Sequence, residues 1–209
     1  MDWLGNVIFE NREIENERLE LTDKKANYIL GPNLTLKNCT LVLKVSARRL
    51  SLKQPRFIDC TFEVKQELKN YQSWLAAFLK GCRFKGALSG DFGHWPEYSS
   101  LPWYQHGFIE DCDFSEARLD GCRFHGCDPA TLRLPRWPCF TFLDPIARAP
   151  ELRGVKWPGI FGDVIVDNLH TDPPSTRTLT YHAPSVAKRM ETTDEELRAV
   201  IEKFDCIIY

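Results

Sequence analysis

The chain has 209 residues and a mass of 24.2 kDa, which suits one domain or one domain with a modest appendage. With 43% hydrophobic and 12% aromatic residues it can fill a continuous core, so general disorder is excluded. A formal charge of -2 and a pI near 6.2 argue against a nucleic-acid binder, which normally carries a basic stripe. No apolar run approaches the roughly 18 residues of a membrane span. Residues 1–10 lack the basic start and long apolar run of a secretory signal, so a cytoplasmic location is expected.

Residues 1–33 hold short extended candidates, Val7-Ile8-Phe9 and Leu19-Glu-Leu21, and are expected to form an N-terminal cap. Five similar segments follow: Leu36-Lys-Asn-Cys39-Thr-Leu41, Phe57-Ile-Asp-Cys60-Thr-Phe62, Leu79-Lys-Gly-Cys82-Arg-Phe84, Ile109-Glu-Asp-Cys112-Asp-Phe114 and Leu119-Asp-Gly-Cys122-Arg-Phe124. Each places cysteine between two large apolar residues set five apart. Asn, Asp or Gly precedes every one of these cysteines, as a corner between short extended pieces favours. Residues 69–79 are compatible with a helical turn or with one side of a coil. Residues 86–107 form an insertion dense in aromatics and histidine. Residues 128–160, with Trp137-Pro138 and Trp157-Pro158, are expected to be an irregular capping region, and residues 171–177 a linker or long turn. The last element is a short amphipathic helix at about 193–204. Thr193-Asp-Glu-Glu196 is a capping box, and Leu197, Val200, Ile201 and Phe204 make an apolar stripe expected to pack on the body.

The spacing of the cysteines has a unit. A square coil with four five-residue sides takes about 20 residues. The steps from Cys39 to Cys60 and from Cys60 to Cys82 each match one such coil with slight slack. The step from Cys82 to Cys112 reads as a coil plus an insertion, and that from Cys112 to Cys122 as half a coil. Self-similarity at a fixed period signals stacked repeats, none of which buries its apolar face alone. The run from Cys112 through Ala117, Leu119, Cys122 and Phe124 to Cys127 resembles the pentapeptide-repeat family. That resemblance implies a mainly β fold, a right-handed quadrilateral β-helix, with Phe62, Phe84, Phe114, Leu119 and Phe124 pointing inward. Cys60, Cys82, Cys112, Ala117 and Cys122 take the small inward positions. On this reading residues 1–139 are the β-helix with its N-terminal cap and the insertion, and residues 140–209 are a C-terminal capping region. Pro129 marks where the pattern stops. The structural alternative is a β-sandwich with coincidental spacing.

No phosphate-binding loop, dinucleotide fingerprint, zinc-protease motif or nucleophile elbow is present. Cys122 and Cys127 flank His125, but the repeat register turns the cysteines inward and His125 onto the outer surface. Neither a metal site nor a cofactor is therefore expected, and the eight cysteines are expected to be reduced packing residues. Asp111, Asp113, Glu116 and Asp120 form an acidic cluster, expected to be a solvated face.

The expected function is non-enzymatic protein binding. The candidate partner-binding residues are His94, Trp95, Tyr98, Trp103, Tyr104 and His106 in the insertion, since Trp and Tyr dominate interface hot spots. The competing expectation is that this loop folds back and covers the coil. A divergent repeat core with irregular decoration also resembles immunity proteins of bacterial toxin–immunity systems, which implies a cognate toxin domain as partner. The pentapeptide-repeat resemblance offers a rival, protection of a type II topoisomerase by DNA mimicry. Acidic and basic residues are nearly balanced over residues 56–127, which does not suit a DNA mimic. An unspecified scaffold or adaptor is the third reading. No direct nucleic-acid or membrane partner is expected, and the oligomeric state is left open.

Overall fold

The computed structural model describes residues 5–97, 104 and 106–209. A residue with positive φ turns the backbone sharply, and one stands at the same place in the coil before Cys39, Cys60, Cys82 and Cys112: Asn38 (φ 48°), Asp59 (53°), Gly81 (65°) and Asp111 (54°). Asn16 (57°) occupies the equivalent corner one coil earlier. The corners stack. Backbone amides of Asn38, Asp59 and Gly81 donate to Ile58, Lys80 and Glu110 carbonyls at 3.0, 2.9 and 3.1 Å. Asn38 Nδ2 donates to Asn16 Oδ1 at 2.7 Å.

Between the corners the chain runs as short strands. The first coil is β1 (Asn6–Phe9), β2 (Arg12–Glu15) and β3 (Arg18–Leu21), and the second is β4 (Asn27–Leu30), β5 (Leu34–Lys37) and β6 (Thr40–Leu43). The third is β7 (Leu50–Leu52), β8 (Arg56–Ile58) and β9 (Thr61–Leu68). The fourth has β10 (Phe78–Lys80) and β11 (Arg83–Gly93), and the fifth β12 (Phe108–Glu110) and β13 (Asp113–His125). Like strands pair in parallel, so β1-β4-β7 form one sheet, β2-β5-β8-β10-β12 a second, and β3-β6-β9-β11-β13 the parallel part of a third. The result is a β-solenoid of about four turns. Register repeats the sequence spacing: Leu36 pairs with Phe57, Phe57 with Leu79, and Leu79 with Ile109.

Parallel strands lie roughly 4.8 Å apart, close to the spacing at which aromatic rings stack, so one aromatic position per coil builds a column. Phe62, Phe84 and Phe114 stack at 4.7 and 4.5 Å with planes within 12°. Trp74, Phe92 and Phe124 form a second column at 5.6 and 5.0 Å. Trp74 sits in a 3₁₀ turn, Gln72–Ala76, and the phenol of the adjacent Tyr71 donates to the Leu50 carbonyl of β7 at 3.2 Å. Residues 69–79 thus hold both a helical turn and the start of β10. Cys39, Cys60, Cys82, Cys112 and Cys122 are all buried, and Cys60 and Cys122 donate to the Leu36 and Leu88 carbonyls at 3.3 Å.

After β13 the Arg133 amide donates to Cys112 O at 2.9 Å and Arg133 O accepts from Phe114 N at 2.8 Å, so Leu132 and Leu134 cover the open end beside β13. A second hydrophobic cluster then begins at Phe140. It is built from β14 (Cys139–Leu143), α1 (Pro145–Leu152), β15 (Thr176–His182), α2 (Ala183–Arg189), α3 (Asp194–Ile201) and β16 (Ile207–Ile208). β15 pairs antiparallel with residues 122–125 of β13, and β14 and β16 extend the same sheet. The capping box at α3 is formed, with Glu196 N to Thr193 Oγ1 and Thr193 N to Glu196 Oε2 both 3.2 Å, and its apolar stripe is buried. Among the described residues no helix is long and apolar enough to cross a membrane.

Several expectations are corrected. Residues 6–21 are the first coil rather than a cap, because Ile14 and Leu19 continue the apolar rows of Leu36 and Leu41. Residues 86–93 belong to β11, so the coil continues to Gly93 inside the expected insertion. The step from Cys112 to Cys122 keeps its reading as half a coil: although it lies within one long strand, β13 bends round the coil, and Phe114 and Phe124 meet across the interior with ring centroids 5.1 Å apart. The regions expected to be irregular contain β14, α1 and the start of β15.

Candidate partner-binding site

The segment expected to bind a partner leaves the solenoid at Gly93. There φ is 85°, and a Cβ would lie 2.3 Å from the His125 carbonyl oxygen, so only glycine lets the chain pass this close to β13. The His94 amide donates to that carbonyl at 3.0 Å. Trp95, half-buried, stacks on the His125 ring with centroids 4.9 Å apart and planes 13° from parallel. Glu97 then accepts from the amide and hydroxyl of Ser175 at 2.9 and 2.7 Å. Burial pulls the Glu97 carboxyl upward, but hydrogen bonds from the Ser175 hydroxyl and from backbone amides outweigh it and leave it below its ordinary value. Residues 94–97 therefore staple the solenoid to the segment before β15.

His125 is fully buried, which corrects its expected place on the outer surface. Its register does turn it away from the coil interior, but β15 and Trp95 cover that side. Nε2 lies 3.3 Å from Asp91 Oδ1 and Nδ1 3.2 Å from Thr176 Oγ1. A carboxylate only accepts, so Nε2 carries the proton, and in the neutral ring Nδ1 accepts from the Thr176 hydroxyl. The order Thr–His–Asp has the outline of a nucleophile relay, but Thr176 is 3% exposed and His125 0%, so the three groups are closed to solvent. They act as a clasp. Arg123–Asp172 at 2.8 Å and Arg189–Asp120 at 2.7 Å fasten the same junction from outside.

The later part of the segment lies elsewhere, at the corner between the first and second sheets. Tyr104, half-buried, borders a hollow of about 380 Å³ with Pro32, Lys53 and Gln54. His106, exposed, borders a neighbouring hollow of about 310 Å³ with Gln54, Arg56 and Phe78. Tyr98 and Trp103 lie outside the described residues. The four candidates among the described residues thus fall in two places: His94 and Trp95 face the clasp, while Tyr104 and His106 stand by the corner. Sequence reasoning missed Arg56, Phe78 and Phe108, which share one outward row of the second sheet. Their signal was legible, since each stands just before the inward residue of its repeat segment.

The thiols are free and mostly buried, with Cys127 intermediate. Burial pushes Cys60 and Cys127 up to about 11, and raises Cys122 as well, so these thiols are protonated and unreactive near neutral pH. Among the described residues one group has metal-like proximity, Glu151, Asp205 and Cys206, but Arg148 forms ion pairs with both carboxylates and fills the role a cation would take. The expected acidic cluster is partly dispersed: Glu116 pairs with Lys85 at 3.0 Å, Asp120 with Arg189, and Asp113 with Arg83 at 3.7 Å. Comparison with known proteins finds no matching family model, no curated relative and no matching solved structure.

Proposed function

We propose that this chain is a non-enzymatic binding protein of the immunity type, which holds a cognate bacterial toxin domain and blocks it. The observation that carries the reading is where its exposed aromatic surface falls. Phe108 is 36% exposed and stacks on Phe78, and the row lies beside Tyr104 and His106, where the coil between Cys82 and Cys112 is lengthened. A stiff scaffold that lengthens one coil to present aromatic and cationic side chains has the composition of an interface hot spot. The finer fold assignment, a right-handed four-sided coil of pentapeptide-repeat type, is part of the same proposal. It is supported by the regular interval, five positions each time, between buried Phe114, Leu119 and Phe124.

DNA mimicry toward a topoisomerase finds less support. It needs a continuous negative surface, whereas several outward carboxylates here are paired with cations across coils: Glu13 and Glu15 with Lys37, Glu63 with Arg18, and Glu110 with Lys80. The test is growth rescue. Toxic open reading frames adjacent to this gene in its host are expressed with and without the chain, and purified pairs are checked for a stable complex. Rescue together with complex formation is expected. Rescue by none of them, with no stoichiometric partner captured from the host, refutes the immunity reading.

A further inference from the structure

The outward rows of the second sheet differ in charge pairing. In one, Lys37 meets Glu15 at 3.3 Å and Lys80 meets Glu110 at 2.6 Å, so each cation is neutralised by the coil above or below, and Lys37 also takes up Glu13, the carboxylate of the neighbouring row, at 2.6 Å. In the other, Arg56 has no carboxylate within 4.0 Å among the described residues and lies instead over the Phe78 ring, 4.0 Å from its centroid. Phe78 in turn stacks on Phe108 at 4.6 Å and 10°. Lys53, round the corner, is likewise without a carboxylate partner among the described residues. The hollows beside Tyr104 and His106 adjoin through Gln54, and no carboxylate of the described residues lines either one.

We infer that this corner is the docking site for an extended acidic segment of a protein partner, one that carries an aromatic or large apolar side chain. The inference rests on the protein-binding reading above and names the chemistry of the bound segment. Carboxylates of the segment meet Arg56 and Lys53, the two cations of this corner that have no carboxylate partner among the described residues, and its apolar side chain packs against Phe108 and the Pro55 edge of the hollow. A cation held over a ring is already desolvated on one side and oriented, so pairing it with a carboxylate orders little that is not ordered already. A single-stranded nucleic acid fits less well. Phe78 is covered on one face by Arg56 and on the other by Phe108, leaving one ring face for a base, and two cations do not make a phosphate track.

The probe is a short fluorescein-labelled peptide of glutamates around a central phenylalanine, titrated with the full chain and followed by fluorescence anisotropy. Its controls are the same peptide with glutamine for glutamate and a short labelled oligothymidylate. Saturable binding is expected, weakened at least about tenfold by Arg56→Glu and several-fold by Phe108→Ala, and at least about tenfold weaker for the glutamine peptide. Circular dichroism and melting of both variants should match the parent, since both side chains lie on the surface. The inference is overturned by equal binding of the two peptides, by no binding of the acidic one, by unchanged affinity in the folded Arg56→Glu variant, or by preference for the oligonucleotide. A natural partner that binds both variants with parental affinity also overturns it, while leaving the protein-binding reading intact.

Discussion

The clasp between Asp91, His125 and Thr176 makes a quantitative claim about how the two hydrophobic clusters are held together. Replacing His125 with Ala removes a hydrogen bond to a carboxylate, worth about 1.5–3 kcal/mol, and a ring stack on Trp95 worth about 0.5–1.5 kcal/mol. It also leaves Asp91, only 8% exposed, without its imidazole partner. The two losses together come to about 2–4.5 kcal/mol. Asp91→Ala leaves the buried Nε2–H without an acceptor and should cost about 1–3 kcal/mol. The double variant has neither orphan, so it should be more stable than the sum of the single losses implies, with a coupling of about 1.5–3 kcal/mol. Urea unfolding followed by far-ultraviolet circular dichroism measures all four proteins, with m-values checked for constancy. Additivity within about 0.5 kcal/mol would refute the clasp and make His125 a packing residue only.

Further outcomes follow from the core and the coil. Phe84→Ala opens the middle of a three-ring column and should cost about 3–5 kcal/mol, whereas Phe108→Ala, at the exposed end of a pair, should cost less than about 1 kcal/mol; equal losses in urea melts would contradict the column. Gly86→Ala would place a Cβ 2.1 Å from the Val64 carbonyl at φ 103°, so β9 and β11 must separate, and the loss should exceed about 2 kcal/mol or abolish folding. The buried thiols predict an alkaline limit. Their folded pKa is raised, so the stability they contribute is full below the ordinary thiol value of 9.0 and is lost as pH climbs towards about 11, with Cys60 and Cys127 titrating there. Midpoints that stay flat from pH 9 to 11 would count against this. Near neutral pH, mass-tagged alkylation of the folded chain should leave Cys39, Cys60, Cys82, Cys112 and Cys122 unmodified, and unfolding should expose all eight cysteines.

The solenoid could be read from the chain because its determinants are local and repeat at a fixed interval. The corner residue, the inward cysteine and the two apolar flanks all sit within six positions, so alignment by eye finds them. The first coil escaped because its marker differs. Glu17 stands where Cys39 stands one coil later, and it is exposed at the end of the stack, yet Ile14, Asn16 and Leu19 keep the pattern. His125 was placed on the wrong side for a different reason. Register fixes which side chains face the coil interior, but only the distant β15 and the returning Trp95 decide that the outward side is covered too. The same holds for the binding corner. Arg56, Phe78 and Phe108 are each a full coil apart along the chain, and their stacking becomes visible only once the coil register is applied to outward positions as well as inward ones.

The antiparallel strand that closes β13 has an evolutionary consequence. A parallel coil presents the same edge to the next coil as it received from the previous one, so a module of about 20 residues can be duplicated or lost while every neighbour keeps its partner. β15 breaks that equivalence, because it runs against β13 and matches Cys122 to Thr180 and Phe124 to Thr178 at fixed positions. Lineages of this protein that differ in length by whole coils should therefore differ upstream of β13. The coil that meets β15, together with its clasp, should change only by substitution.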